Sequence, residues 1–208
     1  MRGESVRAVA YFAALLKRSA DRWQARDADL DEIEDIAGLV EFMREIPDDE
    51  EDEEEPDTTV LLLEQEEVWF AVVRLDAEED PRVFVSDVAA VSRSAYGELL
   101  LSGGLAPVGP DGEPADEDEA VPEEAQDDGD RSGGSDGDDP ELDGLAEIEP
   151  DERRPLRSGP AGDALLLEDF DVPAAKLARL CRAGLLPADA LADVAEALGA
   201  AEELEEVR

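Results

Sequence analysis

Three sets of residues in this chain have types and spacings that chemistry could use. The first is the run DGDRSGGSDGDD. There Asp128, Asp130 and Ser132 hold the first, third and fifth places of a calcium loop, Gly133 the sixth and Asp139 the twelfth. Such a loop would wrap a hard cation in oxygens. But Ser135 stands where an apolar anchor belongs, the last ligand is Asp in place of Glu, and no helical pattern flanks the loop. A solvated acidic tract accounts for the same letters. The second set is Trp69, Arg74, Arg82 and Asp87. If the strands carrying them pair, an aromatic ring and two guanidinium groups come together, the residue types that anchor protein interfaces. The plainer reading is a core tryptophan with arginine stems lying over it. The third is Cys181, on an apolar helical stripe, where it reads as a small buried hydrophobe.

Much chemistry is excluded by inventory. The 208 residues contain no histidine and one cysteine. That set removes typical zinc sites and any Ser-His or Cys-His nucleophile pair, and forbids a disulfide within the chain. No phosphate-binding lysine loop is present, and Ser102-Gly103-Gly104 lacks the spacing of one. Carboxylates are too numerous for any pair to point to acid–base catalysis. No cofactor is indicated.

Charge is the strongest compositional signal. There are 59 Asp and Glu against 18 Lys and Arg, a net charge of −41. Residues 48–57 and 111–152 hold most of the surplus, and blocks of like charge repel themselves and stay solvated. A chain this acidic is not expected to bind nucleic acid or an anionic membrane directly, since both call for positive surface. The longest apolar run, Ala8 to Leu16, is too short to span a bilayer, and Lys17-Arg18 follow it without a cleavage site. The chain reads as cytoplasmic.

The elements that must position these residues follow from spacing. Residues 6–30 read as two strands about a turn at Ser19-Ala20-Asp21-Arg22. Residues 30–47 read as a helix, with Ile33, Ile36, Val40, Met43 and Ile46 on one face, an Asp31/Glu34 capping box and Pro47 as the stop. After an acidic loop, 58–76 reads as a hairpin whose arms do not alternate, as in strands covered on both faces. Asp80-Pro81 turns the chain, Arg82 to Val85 forms a strand, and Ser86 or Asp87 caps a helix to about Tyr96. Residues 106–158 have too few large apolar side chains to offset the entropy of ordering. Beyond them, 174–184 and 187–199 read as short helices ending at Gly184 and Gly199.

The expectation is an α+β fold: an antiparallel sheet with packed helices, a long disordered acidic linker and a C-terminal helical pair. Its parts would be an α+β domain over 1–105, with the 48–57 acidic loop, a linker over 106–158, and a helical segment over 159–208 that packs on the first domain.

Several stretches together carry a family resemblance: YFAALL, LDEIEDIAGLVEFMRE, VWFAVVRLDAEEDPRVFVSD, AGDALLLEDF and LPADALADVAEALG. In order along the chain they resemble the bacterial tRNA adenosine deaminase-associated proteins, over roughly 1–105 and 160–208. The resemblance implies association with an enzyme that converts adenosine to inosine in the anticodon, and carries over no catalytic residues. The inventory adds a limit. A zinc deaminase of that kind needs a His/Cys/Cys set, an H-x-E motif and P-C-x-x-C, so this chain resembles the companion and is not that deaminase. The expected role is non-catalytic and accessory or regulatory, acting by protein contact with a tRNA adenosine deaminase. The alternative is an enzyme of unrecognised type, or a protein only encoded near the deaminase.

Overall fold

The computed structural model describes residues 11–19, 22–45, 58–65, 67–77, 79–115, 158–182 and 185–208. Six strands form one antiparallel sheet: β1 (Tyr11–Ser19), β2 (Arg22–Asp27), β3 (Thr58–Gln65), β4 (Trp69–Asp76), β5 (Arg82–Val85) and β6 (Ala161–Gly162), in the order β2-β1-β3-β4-β5-β6. The central strands bury side chains on both faces. Val60, Leu62, Phe70, Val72 and Phe84 face one way, and Leu61, Leu63, Ala71, Val73 and Val85 the other. That is why neither arm of the 58–76 hairpin alternates in polarity. Each fully buried Leu, Val or Phe contributes about 1.5–3 kcal/mol from area removed from water.

Helices cover the two faces separately. On one lie α1 (Ile36–Glu45), α2 (Val88–Val91) and α3 (Gly97–Leu101), through Leu39, Met43, Val91, Leu99 and Leu100. On the other lie α4 (Ala174–Arg182), α5 (Pro187–Leu198) and α6 (Ala201–Glu206), through Leu177, Leu191, Val194, Leu198 and Leu204. The helical pair anticipated at the C-terminal end is thus joined by a third helix. Gly199 ends α5 in the left-handed conformation (φ 76°), its N–H donating to carbonyls of the last turn.

The alanine-rich start forms strands, as its placement of Tyr, Phe and Trp suggests. Ala13 to Leu16 are buried on both sides of the sheet. β1 pairs with β2 from Ala14↔Asp27 to Ser19↔Arg22.

Several boundaries differ from the expectation. α1 begins at Ile36, not near residue 30, because side-chain acceptors hold residues 29–31 in place ahead of a turn at 31–32. The Leu30 N–H donates to the Tyr11 hydroxyl (3.0 Å), and the Asp31 N–H to the Asp29 carboxylate (3.0 Å). The cap is therefore Asp35, which accepts from the Gly38 N–H at 2.7 Å, and not Asp31. The helix after Asp87 stops at Val91. Ser92 and Ser94 donate their hydroxyls to the carbonyls of Ala89 and Val91, and Ser94 Oγ accepts from the Tyr96 N–H, so side chains compete with the helical ladder.

Part of the segment expected as linker belongs to the fold. Pro107 bridges Ala161, Val108 bridges Pro114, and Val108 enters the core. Residues 116–157 lie outside the described residues, as do Ile46, Pro47, the 48–57 block and Gly184.

Gly162 makes the return to the sheet possible. Its φ is +107°, and a Cβ there would lie 2.1 Å from the Val83 carbonyl oxygen. No larger residue lets β6 lie against β5.

Candidate functional site

β4 and β5 bring two guanidinium groups together. Arg74 and Arg82 are direct partners across the ladder, on the face covered by the C-terminal segment. Arg74 is 7% exposed. Its Nε bonds the Asp76 carboxylate (2.9 Å), one terminal nitrogen donates to the Leu166 carbonyl (2.8 Å), and both terminal nitrogens grip Asp169, one at 2.9 Å. Arg82 Nε donates to Asp163 at 2.6 Å. Burial works against the charge on Arg74, but hydrogen bonds to Asp169 and Asp76 outweigh it and raise its pKa. The same bonds from Arg74 lower the pKa of Asp169, with burial opposing.

Phe170 completes this corner. Arg74 and Arg18 lie over its ring at 4.7 and 4.9 Å, and Trp23 meets it edge-on at 5.5 Å. An open groove of about 480 Å³ runs alongside, between Arg74, Arg82, Glu79 and Glu168. The arginines are engaged by the chain's own carboxylates and hold its two ends together.

Trp69 does not join them. It is five residues from Arg74 on one strand and so points to the opposite face. There it is buried and meets Tyr96 edge-on at 6.3 Å, and Tyr96 in turn meets Tyr11 at 5.3 Å. Asp87 stands apart from both. It caps α2, accepting from the Ala90 N–H at 2.8 Å, and accepts the Ser158 hydroxyl. It lines a cleft of about 270 Å³ with Val68, Phe70, Ser158, Cys181 and Leu185. Burial pushes the Cys181 thiol up to about 12, and its Sγ donates to the Leu177 carbonyl. It is not a nucleophile at neutral pH.

The tip of the β3–β4 hairpin combines features that no sequence pattern marked. Glu67 has φ +57°, an uncommon conformation for a residue with a side chain, and the next residue, Val68, is 61% exposed. Just before the turn, Glu64 Oε2 and Gln65 Oε1 are buried acceptors with no hydrogen-bond partner. A second cleft, of about 260 Å³, opens beside Val68 between Gln65, Trp69, Ala90 and Arg93. Asp163, Asp169 and Phe170 were likewise missed, although EDF at 168–170 places a carboxylate beside an aromatic ring. Among the described residues no three His, Cys, Asp or Glu side chains are grouped to hold a metal ion. The calcium-like set Asp128, Asp130, Ser132 and Asp139 lies outside the described residues. No described helix is long and apolar enough to cross a membrane.

These features define an antiparallel α+β scaffold, helical on both faces, in which ion pairs tie β4 and β5 to the 163–170 segment. The family model for the Rv3753c-like tRNA adenosine deaminase-associated protein matches residues 11–138, more than half of the chain, and the chain belongs to that family. The match runs into the acidic segment and ends before the C-terminal helices, whereas the resemblance was expected to skip that segment and include them. No curated protein and no solved structure matches the chain.

Proposed function

We propose that this chain is a non-catalytic accessory or regulatory protein that contacts a tRNA adenosine deaminase in the cytoplasm and serves adenosine-to-inosine editing of tRNA. The observation that carries this reading is the ligand inventory of a deaminase-associated chain. With no histidine and one cysteine, it lacks the His/Cys/Cys set of the zinc enzyme. Its part is then to act on the enzyme, not to repeat its chemistry.

The net charge of −41 supports the manner of contact. An enzyme that grips tRNA presents positive surface, and an acidic protein is complementary to it. Such a partner competes with RNA or holds the enzyme until RNA arrives.

The test is co-elution of this protein with its cognate tRNA adenosine deaminase on size exclusion, at low and moderate salt. A complex that weakens as salt rises is expected. Separate elution at micromolar concentrations of both proteins at low salt would overturn the reading.

A further inference from the structure

We infer that the end of the sheet where Glu67 and Val68 meet Leu185 and Leu186 is a protein-docking surface, and that its occupant is a segment of the deaminase with an apolar centre and Lys or Arg side chains around it. The inference rests on the proposed function and assigns its contact surface.

The apolar part comes from Val68, Leu185 and Leu186. Among the described residues, four large apolar side chains are prominently exposed: Val68 (61%), Leu186 (48%), Leu165 (47%) and Leu185 (41%). Three of the four gather at this end. Val68 and Leu185 line one cleft, and Leu186 is the next residue. Val68 also lines the Gln65 cleft on the other face of the sheet, so it stands as a ridge between two hollows. Exposed apolar clusters rimmed by polar groups mark protein contact sites.

The chemistry of the occupant comes from the unpartnered acceptors. Gln65 is 4% exposed and lines its cleft, and its Oε1 has no donor. Glu64 Oε2, on the opposite face, also lacks one. Buried polar groups are nearly always paired, so Gln65 Oε1, in a side chain that lines its cleft, calls for a donor brought to that cleft. Burial is the main cause that raises the Glu64 pKa; Arg208 opposes it, and Glu67 and Asp189 add smaller contributions of negative potential. Side chains that supply both N–H donors and positive charge are Lys and Arg. Glu67, at the positive φ of the turn, holds a strained conformation of the kind found at binding clamps.

The experiment measures the affinity of the cognate deaminase for the full chain and for V68D, L185D and L165D. Leu165 is equally exposed but lies beside the Arg74 groove, at the other end of β4. Expected is a Kd at least about tenfold weaker for V68D and L185D, with L165D unchanged, as for central interface residues. Far-ultraviolet circular dichroism checks each fold, and L186D replaces any variant that fails it. Wild-type binding that all variants retain overturns this surface and leaves the proposed function standing. No wild-type binding overturns both. A wild-type dimer that V68D disperses, seen by sedimentation velocity, overturns the stated occupant in favour of a second copy of the chain.

Discussion

Arg74 lies directly opposite Arg82 on neighbouring strands, and each is neutralised by a carboxylate from the far end of the chain. Like charges at facing positions destabilise a sheet. Here Asp169 and Asp163, 95 and 81 residues away along the chain, convert that repulsion into two cross-links.

Asp169→Asn tests the first cross-link. Its pKa is lowered in the fold by Arg74, so the ion pair contributes stability that is complete above the ordinary Asp value and is lost as pH falls through the folded one. The side chain is 57% exposed, and its charge is partly screened, so the variant is expected to lose about 1 kcal/mol at pH 7. The gap between wild type and variant should begin to narrow below about pH 4 and vanish only below the lowered folded value. Urea midpoints across pH check this, and a gap that stays constant refutes it.

Arg74→Met should cost more, about 2–3 kcal/mol, because it strips bonds from Asp76, Asp169 and the Leu166 carbonyl together. A double-mutant cycle with Asp169→Asn should show coupling, since the two share one contact. Additive losses would mean that the two side chains do not stabilise the fold through their shared contact.

Gly162→Ala should destabilise the protein by more than about 2 kcal/mol, because the added carbon meets the Val83 carbonyl and the positive φ is strained as well. Hydrogen exchange at the β5–β6 pairing reports the loss locally. Unchanged protection of the Asp163 N–H, which donates to Val83, would show that β6 tolerates a side chain.

Cys181 should resist thiol reagents. With the thiol pushed up to about 12, almost no thiolate exists at pH 8. Labelling by an aromatic disulfide should be slow in buffer and rapid in urea. Fast labelling of the native protein would show that α4 opens readily.

Asp87→Ala should cost about 1 kcal/mol through the lost cap of α2, and Asp87→Asn much less, because an amide oxygen still accepts from Ala90. Thermal melts of the two variants separate capping from charge.

The strands were legible because their apolar runs were unbroken. Val60 to Leu63 and Trp69 to Val73 could not alternate if both faces were covered. That the C-terminal helices pack on the first domain was expected from their small size, but the ion pairs that fasten them were not legible, since nothing local ties Asp163 or Asp169 to β4 and β5. Local rules failed where a distant or competing group took over the backbone. The Tyr11 hydroxyl, 19 residues away, satisfied the Leu30 N–H and delayed α1. Two serines cut α2 short. The separation of Trp69 from Arg74 was available in the letters, because an odd spacing on one strand places two side chains on opposite faces. The unpaired acceptors at Glu64 and Gln65 depend on which donors the fold brings near, which no local pattern encodes.

The two-sided cover of the sheet also sets the order of events during synthesis. α4, α5 and α6 follow every strand in the chain, yet they close the face of Val60, Leu62, Phe70, Val72 and Phe84. While the ribosome still holds those helices, the strands have left the exit tunnel with one face bare. The sheet is therefore completed late, through contacts of long sequence separation that form slowly. In the interval the nascent chain presents an apolar surface to whatever holds unfinished proteins in solution.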